Sequence, residues 1–285
     1  MRLLTNIKSL IVFFVLIICT GEISAESTPR LVSLAPSITD SLCQLGVEES
    51  LVGVTSYCRT CSRAEIVGTL TNPNLEKVFS LQPDFVFTVQ GINRPRMIER
   101  LIDLGMNVVV FKESQTFEDI LANFVQLSEI VKKKDKARKI VDEIRGEVDE
   151  ISAIAKGEKP KRVFLEINKR PLVTASAGSF MNEFLKYSGN INIFGDISFT
   201  HPRVSREEVL KRNPETIILV NMGDVSTRDK EYWQTFRNLS AVRNNQIFSV
   251  NADEFCRPTP VSFLNSLREI TCLLHPELFS GKDVA

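Results

Sequence analysis

Residues 135–156, DKARKIVDEIRGEVDEISAIAK, constrain the fold more than any other stretch of the chain. Ala137, Ile140, Val141, Ile144, Val148, Ile151, Ile154 and Ala155 recur at three- and four-residue spacing, which makes one apolar stripe on a helix. Glu143, Glu147, Glu150 and the basic residues fill the other face. Asp135 is the expected N-cap, and Gly157 with Pro160 marks the stop. Six turns reach about 33 Å at 1.5 Å per residue. That is longer than one crossover within a sheet requires, so the helix is expected to bridge two lobes.

The flanks of this helix resemble each other. Residues 74–89, NLEKVFSLQPDFVFTV, align without a gap on residues 205–220, SREEVLKRNPETIILV. Glu76 falls on Glu207, Val78 on Val209, Pro83 on Pro214 and Asp84 on Glu215. Each unit reads as a short helix, a proline-containing turn and a buried strand, as in a two-lobe repeat.

The 285 residues suffice for one large or two medium α/β domains, and 43% apolar content supports packed cores. A formal net charge of zero leaves no basic field that would indicate nucleic acid. Residues 1–25 read as a signal peptide: Arg2 and Lys8 precede the apolar run 10–19, too short to span a bilayer, and Ala25 closes a cleavage site. Ile18 before Cys19 argues against lipid anchoring, because a lipid-modified cysteine follows a small residue.

The mature chain keeps Cys43, Cys58, Cys61, Cys256 and Cys272, an odd number, so at least one is free or pairs elsewhere. Cys58 and Cys61 form a C-x-x-C. It does not open a helix as a thioredoxin motif would, no His follows it for haem attachment, and no second ligand pair completes a zinc site. A local disulfide staple is the favoured reading.

Strands are expected at 30–35, 51–55, 85–89 and 107–111, with helices from Ser37 as N-cap to Gly46, at 74–81, at 94–104 and from Thr116 to Val131. Beyond the long helix, strands are expected at 162–167, 216–220 and 246–250, and helices at 178–187, 229–236 and 261–274. Ser205 and Glu208 suggest a capping box, and 251–260 a loop. This alternation implies an α/β fold: two lobes with mainly parallel sheets, 26–131 and 160–285, joined by the bridge 132–159. The loop 56–64 follows the C-terminal end of a strand, where open α/β sheets present ligand groups.

The ordered set RLVSLAPSITDSLCQLG, LVGVTSYC, NLEKVFSLQPDFVF, NIFGD, VSREEVLKRNPETIIL and DEFCRPTP resembles the periplasmic binding proteins of ABC importers for iron chelates and vitamin B12, most of all the cobalamin-binding branch. The likeness spans roughly residues 30–276. It implies a ligand cleft between two lobes held by one rigid helix. The implied role is capture of a small metal–organic ligand and delivery to a permease dimer, by a monomer in the periplasm or another extracytoplasmic space and without catalysis or a resident cofactor.

Position by position, the resemblance makes Glu76 and Glu207 docking glutamates, one per lobe. It makes Tyr57 a cleft aromatic and Asp253 with Arg257 a pair at the cleft edge. Where cobalamin-binding relatives carry tryptophans, this chain has Leu70, Val89 and His201. Cobalamin, an iron siderophore and haem therefore all stay open as the transported ligand, and His201 or Tyr57 would be a metal ligand only for haem. A secreted thiol oxidoreductase using Cys58 and Cys61 is the rival from another class. No glycine-rich phosphate motif follows any strand.

Overall fold

The computed structural model describes residues 28–58, 63–221 and 227–279, so the expected leader at 1–25 lies outside the described residues. The first lobe runs β1 (Leu31–Ser33), α1 (Pro36–Gln44), β2 (Leu51–Val54), β3 (Glu65–Ile66), α2 (Leu75–Ser80), β4 (Phe85–Val89), α3 (Pro95–Asp103), β5 (Val108–Phe111) and α4 (Phe117–Ile130). The long helix is α5 (Lys134–Ala155). The second lobe runs β6 (Arg162–Lys169), β7 (Leu172–Thr174), α6 (Phe180–Tyr187), β8 (Ile191–Asn192), α7 (Arg206–Arg212), β9 (Thr216–Asn221), α8 (Thr227–Gln234), α9 (Ser240–Arg243), β10 (Ile247–Asn251), α10 (Ala252–Phe255) and α11 (Pro260–Leu274).

The first sheet is parallel throughout, in the order β3-β2-β1-β4-β5. The second has the order β10-β9-β6-β7, with β8 also on β6, and only the β6–β7 pair is antiparallel. The series β1-β4-β5 and β6-β9-β10 are therefore equivalent.

The repeat extends to single bonds. Asn74 and Ser205 cap α2 and α7 by accepting from the N–H groups of Lys77 and Glu208. Gln82 and Asn213, each just before the proline, both turn the chain in the left-handed region at φ 47° and 44°. Asp84 and Glu215 then accept from the backbone N–H of Arg30 and Arg162, at 2.7 and 3.0 Å. The same two arginines donate their guanidinium groups to the last carbonyls of the helices, Leu81 and Arg212. One turn chemistry thus ties helix end to strand start in both lobes.

Several caps differ from expectation. Ala35 caps α1 without a side-chain bond, because Pro36 already supplies the helical φ at the first position and Ser37 lies inside the helix. Lys133 precedes α5, and Asp135 sits within its first turn, where a negative charge favours the positive end of the helix. The Glu208 side chain turns to Arg212 at 2.7 Å, so Ser205 caps alone. Thr116 and Asp119 do form the reciprocal box on α4.

The main core does not stop at the lobe boundary. It runs from Leu31, Phe87 and Phe111 through Phe117 and Phe124 of α4 and Ile144 and Val148 of α5 to Phe184, Phe263 and Leu274. Phe117 stacks on Phe263 at 4.4 Å between ring centroids, and Phe184 meets Phe263 at 4.9 Å. Arg145 of α5 holds Glu118 of α4 with two bonds of 2.6 and 2.9 Å, and Arg268 of α11 pairs with Glu147 of α5. The bridge is therefore double: α11 seals the joint beside α5. Each lobe keeps a smaller outer core, around Val32, Val86 and Leu101 in the first and around Phe164, Phe194 and Trp233 in the second.

Candidate functional site

A cavity of about 320 Å³ lies between the lobes. Its first-lobe walls are Ser37 and Ile38 at the start of α1, Val89 and Gly91 after β4, Glu113 and Ser114 after β5, and Phe124 on α4. The second lobe supplies Ile167 at the end of β6, Phe180 and Met181 at the start of α6, His201, Cys256 and Pro258. Ser37, Val89, Glu113, Ile167 and Phe180 set the cavity at carboxyl ends of strands and amino ends of helices, the edge where α/β sheets open to ligands, while Phe124 adds the side of α4. An apolar floor with a few polar groups suits a small-molecule guest with a hydrophobic body.

The expected site residues do not all converge. Val89, 6% exposed, and His201 line this cavity. The His201 ring keeps an open edge, lies 3.4 Å from Ser179 Oγ, and is desolvated by the cleft walls, which lowers its pKa. Tyr57, 52% exposed, is outside the cavity wall, and so are Leu70, Asp253 and Arg257. Leu70 instead offers its carbonyl to Asn93 Nδ2.

Arg257 and Asp253 do pair, at 2.9 Å, but Arg257 also reaches across to the first lobe. It donates to the Tyr57 carbonyl at 2.9 Å and pairs with Asp40 at 3.4 Å, and its side chain is only 11% exposed. Gln44 Nε2 donates to Thr259 Oγ1 beside it. Burial raises the Asp40 pKa, against the opposing pull of Arg257. Arg257 is thus a clasp between the lobes at the cleft edge.

The cysteine expectation is corrected. Cys58 is a free thiol, held at 3.1 Å from Thr39 Oγ1, so it forms no staple with Cys61, which lies outside the described residues. Cys43 is disulfide-bonded. Cys256 and Cys272 are free, and burial pushes the Cys256 thiol up to about 11. Trp233 packs in the outer core of the second lobe, where its indole N–H donates to Glu166 at 2.7 Å.

Among the described residues, Glu158, His275 and Glu277 group closely enough to be considered for a metal, and none lines the cleft. Asn190 argues against it. Its Oδ1 accepts from Lys161 N–H and its Nδ2 donates to the Ser188 carbonyl, which orients the amide. Its Nδ2 also faces His275 Nε2 at 3.0 Å, so that nitrogen accepts and the proton sits on Nδ1, towards Glu277. That proton occupies the position a metal would take.

Glu76 and Glu207 occupy the second position of α2 and α7, and both are exposed. Backbone and Ser205 bonds lower the Glu207 pKa. Glu208 is the acid committed inward, to Arg212. Glu113, Phe124, Phe180 and Cys256 were not legible as site residues. No motif marks them, and an apolar residue on a helix reads the same whether it faces a core or a cleft.

Residues 31–254 match the family described as periplasmic binding protein. The chain is 29% identical over 249 residues to a vitamin B12-binding protein of Vibrio parahaemolyticus, covering 86% of this chain and 89% of that one. It is similar to the solved periplasmic vitamin B12 binding protein of Vibrio cholerae, with 26% identity, a TM-score of 0.77, and coverage of 89% of this chain and 98% of that one. The periplasmic heme binding protein of the same organism shares the fold at a TM-score of 0.77 and 19% identity, covering 88% of this chain and all of its own.

Proposed function

The chain belongs to the periplasmic binding protein family, and from that premise we propose that it is an extracytoplasmic receptor that holds a corrinoid of the vitamin B12 type between its lobes and hands it to an ABC importer. The observation that carries the reading is the cavity between the lobes, built from strand ends and helix starts of both sheets. Its walls offer apolar area for a macrocycle. Residues 1–25 would be the export signal, and a disulfide at Cys43 suits an oxidising compartment. No helix among the described residues is long and apolar enough to cross a membrane.

Glu76 and Glu207, exposed at equivalent positions of the repeat, would meet basic residues on two permease subunits. The tight joint of α5 and α11 supports a largely preformed cleft with small closure.

Haem is the second reading, and His201 on the cavity wall is the observation that favours it. Titration of the mature chain with cyanocobalamin, haemin and a ferric hydroxamate, followed by absorption, separates the cases. Corrinoid binding that survives His201→Ala supports the first reading. Haemin binding in preference to corrinoid, with a Soret band displaced by His201→Ala, would replace it with the second.

A further inference from the structure

The cleft contains a carboxylate with no assigned partner. Glu113 follows β5 and is half-buried, on the wall that separates the interlobe cavity from a shallower one bordered by Gln90, Arg94, Gln115 and Asp119. Its position is built in. Gly91 turns at φ +84°, and a Cβ there would stand 2.8 Å from Glu113 Oε2, so the carboxylate rests against a bare glycine backbone.

No ion pair or hydrogen bond to Glu113 exists among the described residues, and burial alone raises its pKa. The neighbouring charges do not neutralise it. Asp119 is bound into the cap of α4, and Lys112 is exposed on the rim. Half-buried carboxylates without partners are unfavourable, which makes this one a ready acceptor for a donor brought by a guest.

We propose that Glu113 is a specificity residue of the cleft, which accepts hydrogen bonds from amide groups on the rim of the ligand and disfavours ligands rimmed with carboxylates. This rests on the corrinoid reading above. A corrin carries peripheral carboxamides, each with N–H donors, whereas haem carries two propionates. A propionate beside Glu113 would set like charges together in a poorly solvated site. The amide N–H instead gains a charge-assisted bond.

The test compares cyanocobalamin with its monocarboxylate derivatives, in which one side-chain amide is hydrolysed to the acid, by calorimetry on the parent and on Glu113→Gln. The parent should bind at least one monocarboxylate isomer about tenfold or more weakly than cyanocobalamin, the scale of a hydrogen bond to a charged group. Glu113→Gln keeps the shape, removes the charge, and should close most of that gap. Circular dichroism and an unchanged thermal unfolding midpoint report that the variant is folded. Corrinoid binding with the same gap in parent and variant overturns this inference and leaves the corrinoid reading standing. Absence of corrinoid binding by the parent overturns both.

Discussion

Removing the Arg257 clasp should loosen the joint between the lobes, and its effect should depend on pH. Arg257→Met deletes the bonds to Asp253, to the Tyr57 carbonyl and to Asp40, while keeping much of the aliphatic stem. Breaking a fully buried ion pair costs about 3–5 kcal/mol. Here Asp40 and Asp253 keep 26% and 33% of their side-chain surface in water, so solvent recovers part of that. A loss of about 2 kcal/mol at pH 7.5 follows.

The sign of the pH effect comes from Asp40. Its folded pKa is raised by burial and held down by Arg257. Without the arginine it rises further, so the variant loses stability as pH climbs from the ordinary carboxylate range, about 4, through the new folded value. Below that range Asp40 is protonated in both states and the loss shrinks. Urea denaturation of parent and variant at pH 7.5 and 3.5 measures this. Asp40→Asn placed on the variant should return about 1 kcal/mol at pH 7.5, by removing the stranded charge. A loss under about 0.5 kcal/mol, typical of exposed pairs, or an equal loss at both pH values, would refute the clasp.

Glu76→Lys together with Glu207→Lys should leave ligand affinity within about twofold and abolish or strongly slow uptake, since each reversal puts like charges across a docking contact; normal uptake by an exported, ligand-binding double variant excludes these glutamates as docking groups. Titration of native protein with a thiol reagent should modify exposed Cys272 quickly and leave Cys256 unmodified until the chain unfolds, because burial raises its pKa to about 11. The same protein should fail to oxidise a dithiol; turnover would revive the oxidoreductase reading.

The fold was legible because its grammar is local. Apolar spacing marked α5 to within one residue at each end. Pro83 and Pro214, each followed by an acid, marked the two turns whose left-handed residues and arginine bonds then proved equivalent. Caps were read less well where a proline or a competing partner changed the outcome, as at Ser37 and Glu208. The helix α10 was hidden in an expected loop, since four residues are too few to show periodicity.

The site was legible only in part. His201 and Val89 could be placed by likeness to relatives, but the third partner of Arg257 lies 217 positions away in sequence, at Asp40. The room left for Glu113 depends on a glycine on a different strand loop. Such relations exist only once the chain is closed.

The packing of Phe117 against Phe263 bears on timing. Phe117 stands in the middle of the chain and Phe263 near its end, yet both belong to one core. The first lobe holds its strands before the midpoint, but the core face of α4 lacks part of its packing until α11 has arrived. During synthesis from the amino end, the part that emerges early can pair its strands but cannot finish its interior. Completion waits for the last helix, so the molecule should acquire protease resistance in one late step.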